Sequence, residues 1–383
     1  MKKDLARVFF LCAVTLLTTG CWDYTEIELR DFVVGAGVDA VEPKVIVITE
    51  MAKSTGTGQE AEFRPVVLTT EARSLTSGAH NLANPSGMEI FWAHAQVFLV
   101  SEEVAQGGML TILEPIIRAR DLRSTMYLLV AKDCTVEEVF KSKPPLLTGV
   151  SQHLTSIIRL SAISADFVPQ QLWQFTGDLA APGISATLPA VELVHEGGNL
   201  MPVVMGAAVF KLDRMIGWLS KEETQILALL KGESEGGFFV MDTEIKGNTT
   251  AITYEFRGSQ LKTKPIVDGE RVEMKVSLSL QLGVAGTRGA DVDFSDPAVV
   301  RGVEEQVARY FTRRIRDFLR LIQEDYNSDI LGFGRLLWRR EPATWRKIES
   351  DWDAVFRGLP VDVEVDCRIA FTGFRAQPIK MRN

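Results

Sequence analysis

The sequence predicts an α+β protein of two to three domains, each a mixed, largely antiparallel β-sheet with flanking helices. Three observations lead there. Val- and Ile-rich runs of strand length recur from Asp31 to Phe371. Amphipathic helical stretches lie among them without a strict strand–helix alternation. At 383 residues and 46% hydrophobic content, the chain has material for more than one core.

The first element lies outside that fold. Lys2, Lys3 and Arg7 precede an apolar run from Val8 to Leu17 broken only by Thr15, the pattern of a secretory signal peptide over residues 1–20. The run is too short for a bilayer core, which needs about 20 apolar residues. Thr18, Thr19 and Gly20 then lead to Cys21. A glycine and cysteine at that seam resemble a bacterial lipoprotein cleavage site, where the thiol receives a diacylglycerol group and becomes the first residue of the mature chain. Thr18 stands where such sites usually carry Leu, and the alternative is an ordinary thiol left near a generic cut. An exported chain of net charge -8 has no electrostatic reason to bind nucleic acid or an anionic lipid surface. Attachment then rests on lipid, and two acyl chains are what make such an anchor stable.

The mature chain is expected to divide into residues 21–199, open to a further split near 130, and residues 200–383. In the first part, "DFVVGAGVDA" and "KVIVITEMAK" read as the first two strands. A polar segment, "KSTGTGQEAEFRP", then precedes a helix beginning in "TTEARSLTSGAHNLAN". "MEIFWAHAQVFLVSEEVA" reads as one strand running into a helix, with Ser101 as N-cap and Glu102 and Glu103 in the first turn, where carboxylates suit the helix dipole. "LTILEPIIRARDLRS" looks helical, "TMYLLVAKD" is a buried strand, and "TVEEVFKS" is a short helix stopped by Pro144 and Pro145. Two helices follow in "GVSQHLTSIIRLS" and "VPQQLWQFTGDL", then a strand in "ISATLPAVELVHEGG" and a glycine-marked break near residue 200.

The second part opens with two strands about a tight "KLDR" turn, and Ser220 with Glu223 forms a capping box for "KEETQILALLKG". "GGFFVMDTE", "AITYEFRGSQLKTKP" and "RVEMKVSLSLQLGVAG" continue what reads as an antiparallel meander over 201–285. A long helix from about Pro297 to Glu324 carries an apolar stripe of Val303, Val307, Tyr310, Phe311, Ile315, Phe318, Leu319 and Ile322, with Arg309, Arg313, Arg316 and Arg320 on solvated faces. In the last strand Val361, Val363, Val365, Cys367, Ile369 and Phe371 share one face. Asp362, Glu364 and Asp366 on the other face read as wet-face residues, a hard-cation site being the weaker reading. Cys134 and Cys367 read as two buried thiols, with one disulfide as the alternative.

Trp338, Trp345 and Trp352 recur at a spacing of seven, and Phe356 follows, but Pro342 cannot sit inside a helix that spans them. Two helices are predicted, "DILGFGRLLWRR" and "PATWRKIESDWDAVFRG", the second with Pro342 in its first turn, Gly358 as C-cap and a core-facing stripe of Trp345, Ile348, Trp352, Val355 and Phe356.

These residues resemble the Ger(x)C family of spore germination lipoproteins, the C subunits of germinant receptors. The likeness rests on Asp329, Gly332, Gly334, Trp338, Trp345, Trp352 and Phe356, on the last strand closing at Thr372 and Gly373, and on "GCWDYTEIEL", with Trp22 and Asp23 after Cys21. "FWAHAQVFLVSEEVAQGG", "VAKDCTVEEV" and "MGAAVFKLDRMIGWLSKEE" fit as well, so the resemblance covers nearly all of the mature chain. It implies a non-enzymatic subunit, lipidated at Cys21, on the outer face of the spore inner membrane. Its partners would be membrane-embedded A and B subunits; because this chain shows no recognisable polar-lined site, nutrient germinants are expected to bind mainly elsewhere in such a complex. No cofactor and no metal site is expected.

The residues read alone agree with a binding subunit. There is no phosphate loop, HExxH, G-x-S-x-G or CxxC pair. Gly332 and Gly334 lack the third glycine of a dinucleotide fingerprint. His80, His94, His153 and His195 are scattered, and His94 reads as a satisfied core residue. The other classes weighed are a solute-binding lipoprotein serving a permease, which calls for two doubly wound lobes, and an extracytoplasmic hydrolase.

Overall fold

The computed structural model describes residues 4, 30–41, 43–55, 62–144, 149–234, 236–269, 271–288 and 292–371. Cys21, Trp22, Asp23, Thr372 and Gly373 lie outside the described residues, as does the proposed leader except residue 4.

Strands β1 (Arg30–Val41) and β2 (Lys44–Thr55) form an antiparallel hairpin, as their Val- and Ile-rich sequences require. The end of the expected polar segment and the first residues of the stretch in which the helix was expected to begin form instead β3 (Glu62–Ala72), paired antiparallel with β2. It is an outer strand with half-exposed side chains. An edge position tolerates Pro65 and weakens the alternation that reveals a strand. The helix begins only at Leu75, capped by Ser74.

The single strand expected over 88–100 is two, β4 (Glu89–Phe91) and β5 (Val97–Ser101), separated by Trp92–Gln96 and both parallel to β1. Ser101 caps the next helix through Val104 N–H, with Glu102 and Glu103 in its first turn. β5 and β6 (Tyr127–Ala131) are almost wholly buried, because central parallel strands carry helices on both faces. Helices 75–81, 102–107, 110–118 and 172–180 cover one face, and helices 136–141 and 150–159 the other.

β7 (Thr187–Glu196) and β8 (Asn199–Lys211) are joined by a tight turn at Gly197 and Gly198, both at positive φ. The glycines near residue 200 therefore mark a hairpin, and the chain leaves this sheet only after β9 (Arg214–Leu219). The result is a nine-stranded mixed sheet of order β3-β2-β1-β5-β6-β7-β8-β9, with β4 beside β1.

The strands expected as one meander over 201–285 are thus shared between two sheets. After the Ser220–Glu223 capping box and helix 221–231, β10 (Phe238–Ile245), β11 (Asn248–Asp268) and β12 (Arg271–Arg288) build an antiparallel sheet, and β13 (Val361–Phe371) adds parallel to β12. Helix 297–320 packs on it through Val299, Val303, Val307, Phe311, Ile315, Phe318 and Leu319, then runs into a π-helical turn over Leu321–Asp325.

A register shift between Leu282 and Gly283 flips the end of β13, so Phe371 pairs with Gly283, lies under Arg257 and is 42% exposed rather than inward. Lys275 pairs with both Asp362 and Glu364, the wet-face outcome. The thiols are free, Cys367 buried and Cys134 half-buried; burial pushes each up to about 12. Among the described residues no helix is long and apolar enough to cross a membrane.

Candidate functional site: a glycine and tryptophan junction

The signature residues meet where the C-terminal helices lie against the first sheet. Gly332 takes a left-handed conformation (φ 72°), which lets the chain turn sharply into helix 333–340. Asp329 caps that helix from the preceding turn. Its carboxylate accepts from Phe333 N–H at 3.0 Å and Gly334 N–H at 2.8 Å, where the helix dipole favours negative charge. The side chain is almost fully buried. Burial pushes its pKa up to about 6, and the backbone N–H donors oppose the rise. The Trp352 indole N–H is near enough to lower this pKa but falls outside hydrogen-bond geometry and has no other partner among the described residues.

The same segment clasps residues 183–185. Ser185 N–H donates to Asp329 O at 2.8 Å, and Arg335 N–H donates to Gly183 O at 2.7 Å. Gly183 (φ 65°) and Gly334 touch backbone to backbone. A Cβ on Gly334 would stand 2.7 Å from Gly183 Cα and 2.7 Å from Trp352 Cε2, so only glycine fits. Trp352 closes over this crossing. Its ring lies 5.2 Å from Trp345 and 6.0 Å from Phe356, while Phe333 meets Phe356 from the other side at 6.5 Å.

Pro342 opens its helix as expected, but the predicted single helix is broken by a 3₁₀ turn at Glu349–Asp351, which separates Pro342–Ile348 from Trp352–Arg357. Gly358 ends the last piece without the left-handed geometry of a Schellman cap.

Polar bonds extend the clasp. Arg335 pairs with Asp178 at 2.8 Å, and Lys211 pairs with Asp353 at 2.7 Å while donating to Asn327 O. Ser328 Oγ donates to Phe210 O, and Tyr326 OH to Trp218 O, both at 2.7 Å. A cleft of about 520 Å³ remains, lined by residues 179, 181–185, 211, 212, 329, 345, 349, 350, 352, 353 and 356. No histidine lines it, and both Asp329 oxygens are occupied by main-chain donors. These hydrogen bonds and ion pairs join the C-terminal helices to the first sheet and the segment leading into β7.

Asp329, Gly332, Gly334, Trp345, Trp352 and Phe356 thus come together, with Trp345 3% and Trp352 8% exposed. Trp338 does not join them and is 46% exposed. His94 is no core residue; it is exposed, its ring against Phe32 and Phe91. Sequence reasoning missed Gly183, Asp178 and Lys211, which no local pattern links to the signature. It also missed Asp39 and Glu50, whose signal was available: Glu50 is the one acid of β2, and Asp39 follows the apolar run of β1. Asp39 accepts from Val136 and Glu137 N–H, and Glu50 from Val150 and Ser151 N–H.

Fold and junction together define a class: a two-sheet α+β protein in which glycines, tryptophans and one buried carboxylate lock the C-terminal helices onto the N-terminal sheet. The comparisons place it within that class. The family models described as "Spore germination protein N-terminal domain" and "Spore germination B3/GerAC like, C-terminal" match residues 23–193 and 205–373. Spore germination protein KC of Bacillus subtilis (strain 168) is 23% identical over 99% of this chain and 98% of its own. Spore germination protein B3 of the same organism is 21% identical over 96% and 98%. The crystal structure of the GerBC protein superimposes with a TM-score of 0.56 at 19% identity, covering 88% of this chain and 97% of that one. The chain belongs to the Ger(x)C family of spore germination proteins. The alternative of a solute-binding lipoprotein is not favoured, since the first sheet is a single mixed sheet rather than two doubly wound lobes.

Proposed function

We propose that this chain is the lipid-anchored C subunit of a spore germinant receptor, a non-enzymatic scaffold that works with membrane-embedded A and B subunits. The carrying observation is that two germination family models match in order and nearly end to end. Asp329, the carboxylate of the signature, is meanwhile engaged by main-chain donors at the junction. Cys21 bears the diacylglycerol group, and the folded part sits on the outer face of the spore inner membrane. Nutrient germinants contact mainly the other subunits.

Affinity capture of the tagged chain from solubilised spore membranes tests this reading. Recovery of two polytopic membrane proteins, with loss of a nutrient response when the reading frame is deleted, is expected. A chain recovered alone, with germination unchanged by the deletion, would sink it. Mass spectrometry of the mature N-terminus reads the anchor: a diacylglycerol adduct on Cys21 is expected, and a free thiol contradicts it.

A further inference from the structure

We propose that the end of the first sheet where the chain enters the fold is a membrane-facing surface, on which Arg118, Arg120 and Arg123 contact anionic lipid headgroups and Trp173 and Ile117 lie at the interface. The distance argument rests on the anchor at Cys21. The charge argument does not.

Topology assembles the surface. β1, β4, β5 and β6 run parallel, so their N-terminal ends lie at one end of the sheet. Arg30, the first described residue of β1, stands level with Glu89 at the start of β4, to which it is ion-paired, and both lie beyond the start of β5, which pairs at Gly35. Three further segments are bonded to the same end. Gln96 N–H donates to Val34 O, Tyr127 N–H to Gln96 O, and Trp173 N–H to Ser124 O. Helix 110–118 terminates there, and its link to β6 is the arginine-bearing stretch 118–124.

That stretch reverses the sign of the chain. Across a protein of net charge -8, "RARDLRS" carries three arginines and one aspartate. Arg120 and Arg123 are exposed with no ion pair among the described residues, and Arg118 pairs only with Glu114. Exposed apolar groups stand beside them, Ile117 at 58% and Trp173 at 54%. Trp173 already has its indole N–H bonded to Gln171 Oε1, which leaves the ring to an apolar partner. Arginines flanking an exposed tryptophan are the composition of a headgroup-level contact.

Reach points the same way. The nine residues from Cys21 to Arg30 span roughly 30 Å at full extension. A lipid on Cys21 therefore holds this end of the sheet within one protein diameter of the bilayer, and the remaining attraction is between arginine and anionic headgroup.

The test uses the mature chain from Trp22 onward, which keeps every described residue from Arg30 to Phe371 but lacks the anchor. Flotation at low salt with phosphatidylglycerol-containing vesicles is expected, with little on pure phosphatidylcholine. The triple variant Arg118→Ala/Arg120→Ala/Arg123→Ala should lower the partition coefficient about a hundredfold, at roughly fivefold per arginine. The corresponding Arg→Lys triple, which keeps the charge, should retain binding, and Trp173→Ala should weaken it. A charge-matched control, Arg309→Ala/Arg313→Ala/Arg316→Ala on the long helix, should float like the parent. No preference for anionic vesicles, or a loss caused equally or only by the long-helix control, overturns the proposal. The anchor is read separately, by comparing lipidated protein with the Trp22 chain on neutral vesicles. If they float alike the anchor reading fails, and the arginine result still decides this one.

Discussion

The interior of the first sheet and the junction use one device at two sequence ranges. In the first sheet, Gly37 lets Val136 approach β1, Gly35 does the same for Ser151, and Asp39 and Glu50 cap the two helices that begin there. At the junction, Gly183 and Gly334 allow the approach and Asp329 supplies the cap. In the sheet, acid and helix are about a hundred residues apart. At the junction they are four or five apart. A helix N-terminus leaves N–H donors that need an acceptor when buried, and a strand can supply it as well as a neighbouring turn. The difference lies in how much of the device a reader of sequence can see.

The contrast can be broken at its aromatic lid. Trp345→Ala should cost about 4 kcal/mol in denaturant unfolding, as a buried aromatic removed from a packed core does. Trp338→Ala, at the same spacing but on the surface, should cost about 0.5 kcal/mol or less. Equal losses would show that spacing alone, not the junction, explains the signature.

The two caps are tested by different measurements. The folded pKa of Asp329 is raised from 3.8 to about 6, so the folded state binds its proton more tightly than the unfolded chain. Its ionised form is a constant cost above about pH 6, relieved as pH falls toward 3.8, a gain of about 3 kcal/mol. Stability measured across that window should rise on acidification in the parent relative to Asp329→Asn, and parallel curves would show that Asp329 is not the titrating group. Glu50→Gln replaces one acceptor oxygen with a donor facing a helix N–H. It should cost about 2 kcal/mol and raise hydrogen exchange over residues 150–159. A loss of protection spread to the junction would show that the two regions are not separate devices.

Legibility follows the same division. Strands β1, β5, β6 and β7 and the long helix were readable because burial on one or both faces writes itself into period and composition. β3 was not, because an edge strand with Pro65, an exposed Thr69 and a half-exposed Thr70 carries little of that pattern. Phe371 was misassigned because a register shift inverts alternation without leaving a local mark. At the junction, Asp329, Gly332 and Gly334 were visible as a cluster, whereas Gly183, more than a hundred residues earlier, became meaningful only once the backbones were seen to cross.

The central claim is that the signature residues lock two layers rather than stabilise one. Hydrogen exchange of Gly334→Ala, which places a methyl against Gly183 and Trp352, measures it most directly. Protection should fall on both sides, over residues 179–185 as well as 333–356, with β1 and β5 unchanged. A loss confined to 333–356 would contradict the account.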